Sequence, residues 1–318
     1  MKHLRTLRHI SEVAKTGSIR KTAERMNLTP SALTRKIQDF EQELGTEIFE
    51  RMAGGVRPNA AGELLLRHIR EQISDFDRLR SQIADLSGMR RGHVAIACSQ
   101  AFAHHFIPHE IARYREQFPQ VSFEVRVIDH REAVAALHAH EVDLALVLQP
   151  PAGQDFQALV TSAPTLCAMM AAGHPLAGAV AAPGAETEPG PDLPVRLRDC
   201  LRYPLILPDR STAGRYLFEI ALRRAGMEAE VAVTSNSFEF VRSYLLREPL
   251  IGFQVMSGLP PLPEQAATGL VFRQVDRRDA ATATLALGQL RGRSLSVAAA
   301  KFAEQVSRSL DRDNAAGG

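Results

Sequence analysis

The chain is poor in cysteine, and this excludes one class of fold. Only three cysteines occur in 318 residues. An odd number at wide spacing argues against a disulfide framework. We interpret Cys98, Cys167 and Cys200 as small buried residues of a protein in a reducing compartment. A redox-sensing pair remains the alternative, and it requires two of these thiols to come close in the fold.

Long apolar runs are also absent. No stretch of about 18 unbroken apolar residues occurs, so we expect no membrane span. The first residues enter a helical pattern directly, without the apolar core of a signal peptide. We therefore expect a cytoplasmic protein without a membrane partner.

Catalytic motifs are missing as well. The sequence contains no glycine-rich phosphate loop, nucleophile elbow or metalloprotease helix. We predict no catalytic residue, no enzymatic activity and no cofactor. His105 and His109 share a helical face and Cys98 lies upstream, so a metal sensor is an alternative. Because no paired cysteine or clear third ligand accompanies them, we predict no metal site.

The charge is unevenly distributed. The chain has a formal net charge of +2, but residues 1–57 carry eleven Lys or Arg and only seven Asp or Glu. A basic end on a slightly acidic body favours a localised nucleic-acid surface.

The N-terminal pattern predicts a winged helix-turn-helix. Apolar spacing indicates helices over residues 3–15, 18–26 and 30–44, with Leu44 buried at the end of the third. Gly17 and Gly45 end helices, and Ser18 and Thr29 are good N-caps. Two short helices joined by a tight turn form a helix-turn-helix, and residues 48–55 resemble a β-wing.

A long fourth helix, from an Asn59 cap to about residue 88, carries a narrow apolar seam. Its members recur at intervals of three and four: Leu66, Ile69, Ile73, Phe76, Leu79, Ile83 and Leu86. The seam could pack on its own domain. We favour pairing with a second copy of the chain. In a monomer, Ile69, Ile73, Phe76 and Ile83 are expected to lie largely in water.

Beyond residue 92 strands and helices alternate, which predicts a parallel α/β sheet and then a second α/β unit. Strands are expected at 94–99, 122–128, 143–148, 204–207, 229–234, 250–254, 270–275 and 283–290. Helices are expected at 107–117, 131–140, 213–225 and 237–246 and after Ser296. The Ala-, Gly- and Pro-rich segment 176–195 reads as an exposed loop.

These features resemble the LysR-type transcription regulators over nearly the whole chain. The residues that carry the resemblance are Val13, Ala14, Gly17, Ser18, Ala23, Ala32, Ile37, Glu41, Leu44, Gly45, Phe49, Arg51, Ala61, Gly62, Leu137, Asp143 to Ala145, His174 to Ala177, Leu295, Ser296 and Phe302. The resemblance implies an α/β fold with an all-α N-terminal part: a winged helix-turn-helix, a linker helix and a two-lobed effector domain like the periplasmic binding proteins. Departures are Ile10, Thr22, Pro30, Pro58 and Asn59.

The implied domains follow this order. Residues 1–58 bind DNA, 59–89 form the dimerisation helix, 90–310 bind the effector, and 311–318 form a tail. Lobe I is expected at about 92–162 and 268–310, and lobe II at about 163–267.

Short polar and basic side chains on the third helix suit readout of base edges in the major groove. The predicted DNA contacts are Arg20, Lys21, Thr29, Ser31, Thr34, Arg35, Gln38 and Arg51. Arg35 matches guanine and Gln38 adenine, whereas Arg20, Lys21 and Arg51 suit phosphates. Each is otherwise a solvated surface residue.

Ligands of open α/β sheets bind at the carboxyl ends of strands. The effector contacts predicted there are Ser99, Gln100, His130, Ser211, Thr212, Asn236 and Ser237. Hydroxyls and amides at helix N-termini suit a small organic anion, although plain N-capping needs the same residue types.

These observations predict a regulator that binds double-stranded promoter DNA under control of a small-molecule effector. The alternative is a solute-binding sensor domain without a DNA role, and an enzyme ranks third. We expect a homodimer through the long helix. The resemblance further implies a homotetramer, and RNA polymerase is a candidate partner.

Overall fold

The protein, represented by a computed structural model, forms two compact units. The structure describes residues 2–52, 54–86, 91–150, 153, 155–178, 194–210, 212–256, 259, 267–280 and 283–317. Within these ranges, no helix is long and apolar enough to cross a membrane. Most of the predicted loop 176–195 lies outside them.

The first unit is a winged helix-turn-helix followed by a long helix. Its elements are α1 (Lys2–Thr16), α2 (Ile19–Arg25), α3 (Pro30–Leu44), β1 (Phe49–Met52), β2 (Gly55–Pro58) and α4 (Ala60–Leu86). Strands β1 and β2 form an antiparallel wing. Leu7, Ile10, Leu33 and Ile37 are buried in a single core, and burying one such side chain contributes about 1.5–3 kcal/mol.

Helix α4 divides its seam between two environments. Leu66 and Ile69 are buried in the core of the first unit, and Ile73 packs against its edge. Leu79 and Ile83, about two and three turns later, are 49% and 54% exposed. The prediction that Ile69 needs a second chain for its burial is therefore wrong, because α1 packs against this part of α4.

Leu44 is a second correction in this unit. The helical pattern predicts it to be buried, but it is 45% exposed. It is the last residue of α3, and Gly45 then takes a left-handed conformation that turns the chain away.

Lobe I of the second unit is built on a five-stranded sheet in the order β4-β3-β5-β12-β6. Its strands are β3 (Gly92–Cys98), β4 (Val121–Val127), β5 (Leu144–Leu148), β6 (Phe156–Ser162) and β12 (Leu285–Leu290). Strands β3, β4 and β5 are parallel as predicted, whereas β12 runs antiparallel to both of its neighbours.

Four helices accompany this sheet: α5 (Gln100–Ala103), α6 (Phe106–Gln117), α7 (His130–His138) and α11 (Val297–Gly317). The buried carboxylate of Glu110 joins α6 to α11. It accepts hydrogen bonds from Gln305 at 2.7 Å and Ser309 at 2.8 Å, and Arg113 lies 3.3 Å away. These partners compensate for removing the carboxylate from water.

Lobe II contains the remaining elements. They are β7 (Leu166–Ala171), α8 (Leu197–Cys200), β8 (Leu205–Pro208), α9 (Ala213–Ala225), β9 (Val231–Ser235), α10 (Phe238–Leu245), β10 (Gly252–Val255) and β11 (Leu270–Gln274). Strand β7 lies between β10 and β11, and β8 pairs in parallel with β9.

The strand β11 corrects the predicted division between the lobes. Residues 268 onward are expected in lobe I, but β11 pairs along its length with β7 of lobe II. Leu270 and Phe272 also pack in one apolar cluster with Met169. The chain therefore rejoins the lobe I sheet only at β12.

Candidate DNA interface and effector cleft

Four local signals define the turn between α2 and α3. The Ser18 side chain caps α2, and Asn27 takes a left-handed conformation, with φ 53°, beyond its end. Thr29 Oγ1 then accepts a hydrogen bond from Ala32 N at 3.2 Å, and Pro30 occupies the first helical position. This arrangement confirms the predicted helix-turn-helix geometry.

Helix α3 separates its buried residues from its predicted DNA contacts. Leu33 and Ile37 are buried, whereas Thr29, Ser31, Arg35 and Gln38 are exposed. Arg35 and Gln38 make no polar contact with any residue the structure describes. Their long side chains are therefore available for base edges.

The hydroxyls of α3 are less free. Thr34 is half-buried, and its Oγ1 donates to the carbonyl oxygen of Pro30 at 2.8 Å. Ser31 Oγ lies 3.2 Å from Thr29 Oγ1. Both hydroxyls keep acceptor lone pairs that remain available to water or DNA.

The three basic side chains expected at phosphates differ in their surroundings. Arg20 lies 3.3 Å from Glu24, one helical turn later, and both side chains are exposed. Lys21 and Arg51 are exposed and make no ion pair within the described ranges. Exposed pairs such as Arg20–Glu24 are worth only about 0.3–0.5 kcal/mol, so this carboxylate weakly competes with a phosphate.

Two glycines position the wing that carries Arg51. Val56 N donates to Gly17 O at 2.9 Å, which ties β2 to the turn after α1. A Cβ on Gly55 would overlap the same carbonyl oxygen, and Gly55 has a φ of 156°. Sequence reasoning assigned Gly17 only to ending α1. Its contact with the wing is a tertiary feature.

Sequence reasoning also missed His9. It lies on α1, is buried, and its Nδ1 has no hydrogen-bond partner in the described part of the chain. Burial lowers the pKa of His9, and the positive charges of Lys36 and Arg5 lower it further. The imidazole is therefore held neutral.

In the second unit, three of the predicted effector residues precede helices, but they use their hydroxyls differently. Thr212 Oγ1 accepts from Arg215 N at 3.4 Å and donates to Asp209 O at 3.0 Å. Ser237 Oγ accepts from Phe240 N at 3.2 Å. Ser99 makes no such cap, and its buried Oγ has no partner among the described residues. N-capping thus accounts for Thr212 and Ser237 and leaves Ser99 unexplained.

Gln100 and Asn236 are brought together although 136 residues separate them. Gln100 Nε2 donates to the carbonyl oxygen of Asn236 at 2.9 Å, and Phe238 N donates to Gln100 Oε1 at 2.9 Å. The carboxyl end of β3 in lobe I therefore meets the start of α10 in lobe II. His130 begins α7, with its side chain outside the described set, and Ser211 also lies outside it.

Comparison with known proteins identifies the family. Residues 4–63 match the model for the bacterial regulatory helix-turn-helix protein of the lysR family, and residues 87–311 match the LysR substrate binding domain. The chain belongs to the LysR family. The second match alone covers more than half of the chain.

Relatives of known name agree with this assignment. An HTH-type transcriptional regulator CbbR of Sinorhizobium medicae is 35% identical over 175 residues, which cover 55% of this chain and 56% of that protein. The transcriptional activator IlvY of Haemophilus influenzae is 30% identical over 142 residues, 45% of this chain and 48% of that one. The chain thus spans about half the length of the curated relatives it matches.

Solved structures share the fold over almost the full chain. CbnR complexed with its target DNA has a TM-score of 0.61 at 17% identity, covering 96% of this chain and 99% of that one. OxyR C199D of Pseudomonas aeruginosa has a TM-score of 0.64 at 18% identity, covering 96% and 94%. The predicted fold class is therefore confirmed.

Two segments that this chain shares with the LysR family have structural roles here. Asp143 accepts hydrogen bonds from Ala95 N at 3.0 Å and Arg293 Nη2 at 2.9 Å, which tie the start of β5 to β3. His174 is buried, and its Nδ1 accepts from Leu176 N at 3.1 Å. Both residues stabilise turns and strand ends.

Histidines and cysteines of this LysR-family chain form no metal cluster in the ranges described. The rings of His105 and His109 stack with centroids 5.7 Å apart, but no group of three or more His, Cys, Asp or Glu is placed to hold an ion there. All three cysteines are free and buried. Burial raises the pKa of Cys98 and of Cys200 to about 12 and raises that of Cys167 as well, so all three stay protonated thiols.

Proposed function

We propose that the protein is a LysR-type transcription regulator that binds promoter DNA through α3 and the wing. The observation that carries this proposal is the division of α3, which buries Leu33 and Ile37 in the core and exposes Arg35 and Gln38 without a polar partner among the described residues. Arg can bond guanine and Gln adenine in bidentate fashion, so the two side chains supply sequence readout. Thr29, Ser31 and Thr34 lie near them, and Arg20, Lys21 and Arg51 supply phosphate contacts.

The test begins with genomic DNA. The purified protein is mixed with sheared genomic fragments, and the bound fragments are sequenced and used for binding measurements. We expect affinity for these fragments to fall steeply with salt, since phosphate contacts release counterions. Arg35→Ala is compared with Arg67→Ala, which removes an exposed arginine of α4. Equal behaviour of both variants would contradict the assignment of α3.

We further propose that a small organic anion acts as effector at the carboxyl end of β3. The buried hydroxyl of Ser99, which has no partner among the described residues, supports this proposal. Unsatisfied buried polar groups are rare in proteins, and those that occur often lie at functional sites. Gln100, His130, Ser211, Thr212, Asn236 and Ser237 remain the proposed surrounding residues. A thermal-stability screen with small carboxylates tests this, because a ligand that binds only the folded state raises Tm. No shift for any member, at concentrations up to millimolar, would count against it.

A homodimer completes the proposal. Leu79 and Ile83 of α4 are large apolar side chains about half in water. Pairing two α4 helices buries them and places two copies of α3 on one DNA, as dimeric helix-turn-helix proteins require. Assembly into a tetramer, contact with RNA polymerase, a cytoplasmic location and the lack of catalytic activity are parts of the same proposal.

A further inference from the structure

The Gln100 side chain links the two lobes through both ends of its carboxamide. Its oxygen accepts from Phe238 N, and its nitrogen donates to Asn236 O, each at 2.9 Å. Phe238 is the first residue of α10, where backbone N–H groups have no partner inside the helix. A residue of lobe I therefore caps a helix of lobe II.

The other polar groups around this helix start are supplied locally. Ser237 Oγ accepts from Phe240 N at 3.2 Å, and Ser235 Oγ accepts from Ser237 N at 3.1 Å. Among the described residues, Gln100 is the side chain that satisfies the Phe238 N–H. The cap of α10 is thus complete only while the lobes stay together at this point.

Both ends of the link are firmly mounted. On the lobe I side, Ala101 and Phe102, which follow Gln100 in α5, are buried in the main core, which also contains residues of lobe II. On the lobe II side, Val241 and Leu245 of α10 are buried in the second lobe's own cluster. A movement of either lobe must therefore break the Gln100 bonds, because neither helix end can follow by fraying alone.

A second contact lies beside the first. His104 Nε2 is 4.0 Å from Glu239 Oε2. His104 comes four positions after Gln100 in the sequence, and Glu239 directly follows Phe238. Both contacts run from the end of β3 to the start of α10, where the effector is proposed to bind. The Gln100 carboxamide is hydrogen-bonded to the carbonyl oxygen of Asn236 and the N–H of Phe238, and opening the cleft would expose both groups to water.

We propose that Gln100 is a latch that holds the two lobes together and that the response to effector requires its release. The link between the latch and the effector response rests on the proposed function. A ligand changes the lobe equilibrium only through different affinity for the two states, and breaking the latch is part of that difference. Two neutral hydrogen bonds raise the ratio of closed to open protein by about 5- to 150-fold relative to a protein without them.

Hydrogen exchange at single backbone amides tests the latch without DNA or effector. In the full-length protein the Phe238 amide should be protected, although the first amides of helices usually exchange fast. Gln100→Ala, or Gln100→Met with a similar volume, should speed exchange at Phe238 by about 5- to 150-fold and leave Phe240 unchanged. Ser237→Ala is the matched control and should affect Phe240 but not Phe238. Unchanged exchange at Phe238 in both Gln100 variants would overturn the latch.

A reporter assay tests the regulatory part. A captured promoter fragment drives the reporter in cells without added effector. Gln100→Ala should shift basal output at least several-fold in the direction produced by the carboxylate that the stability screen identifies, whereas Arg223→Ala, which removes an exposed arginine of α9, should not. If exchange at Phe238 rises and output stays unchanged while the wild type binds the fragment, the regulatory role is overturned. If the wild type binds no fragment, the proposed function fails, and the exchange result still decides the latch.

Discussion

The two proposed binding surfaces differ in how far the chain already uses their polar groups. On α3, Arg35 and Gln38 project from a helix whose other face is core, and they make no polar contact with a described residue. At the cleft, Gln100, Thr212 and Ser237 all make hydrogen bonds within the chain. The side chains proposed to read DNA are thus free to bind, whereas an effector at the proposed cleft would have to replace hydrogen bonds that the protein makes with itself.

This difference has a physical basis. A DNA-reading helix meets a partner outside the protein, so its side chains need only water in the free state. A cleft between two lobes brings backbone donors and acceptors into partly buried positions, where leaving them unpaired is costly. Ser99 is the exception at the cleft, because its buried hydroxyl has no described partner.

The largest effect is expected from the α4 seam. Ile83→Asp places a charge at an exposed apolar position and should split the proposed dimer. DNA affinity should then fall far more than the distance from α3 suggests, because one half-site binds alone. Light scattering and binding to a captured fragment measure both effects. Ile83→Leu keeps the side chain apolar and should leave mass and affinity near the wild type. An Ile83→Asp protein of unchanged mass and affinity would remove α4 as the interface.

The next effect concerns the free and the paired arginines of the DNA surface. Arg35→Ala should weaken binding by about 1–3 kcal/mol and relax preference at one base position. Arg51→Ala should weaken binding to all sequences alike. Arg20→Ala should cost less than Arg51→Ala, since Arg20 already pairs with Glu24. Titrations of a captured fragment and of single-base variants would rank the three, and an Arg20 effect as large as that of Arg35 would contradict the ranking.

A smaller effect separates the two kinds of hydroxyl at the cleft. Thr212→Ala removes an N-cap of α9 and should lower the free energy of unfolding by about 0.5–2 kcal/mol. Ser99→Ala removes no cap and should leave stability nearly unchanged while reducing the Tm rise produced by whichever carboxylate the screen identifies. Urea denaturation compares the two variants. A Ser99→Ala protein as destabilised as Thr212→Ala would assign Ser99 a folding role.

The smallest effect is a pH dependence that both units share. Burial lowers the pKa of His9 and of His174. In the unfolded chain these histidines have the ordinary His pKa of about 6.5. At pH values below about 6.5, the unfolded chain therefore binds more protons than the folded one. Stability should therefore be full above this value and decline as the pH falls below it. His9→Leu should lose less Tm than the wild type between pH 7.5 and pH 5. An equal or greater loss would contradict the buried neutral state.

Much of the first unit could be predicted from residues that lie close in sequence. Ser18, Asn27, Thr29 and Gly45 act within their own turns, so their side-chain types and spacing predict the helix boundaries. The start of α4 follows the same local rules, with Asn59 Oδ1 accepting from Gly62 N at 2.8 Å. The exposed face of α3 then follows from the buried one, because a helix with a known core face has only one opposite side.

The second unit was less predictable because its pairing is non-local. The strands β6 and β7 were missed, and β11 was assigned to the wrong lobe, although each of the three is paired along its length. The sequence of β7 is apolar on both faces, which does not distinguish a central strand from a buried helix segment.

Local chemistry alone therefore determined the helix-turn-helix, its caps and the side chains on the exposed face of α3. Tertiary structure decided which cleft residues remain available, since Gln100 meets Asn236 and Phe238, which lie 136 and 138 positions later in the sequence. It also decided that Ile69 is buried while Ile83 is not, because Ile69 packs in one core with Leu7 and Ile10 of α1. The physical reason is the same in both cases: periodicity records that a side chain needs a partner, but only packing selects which one.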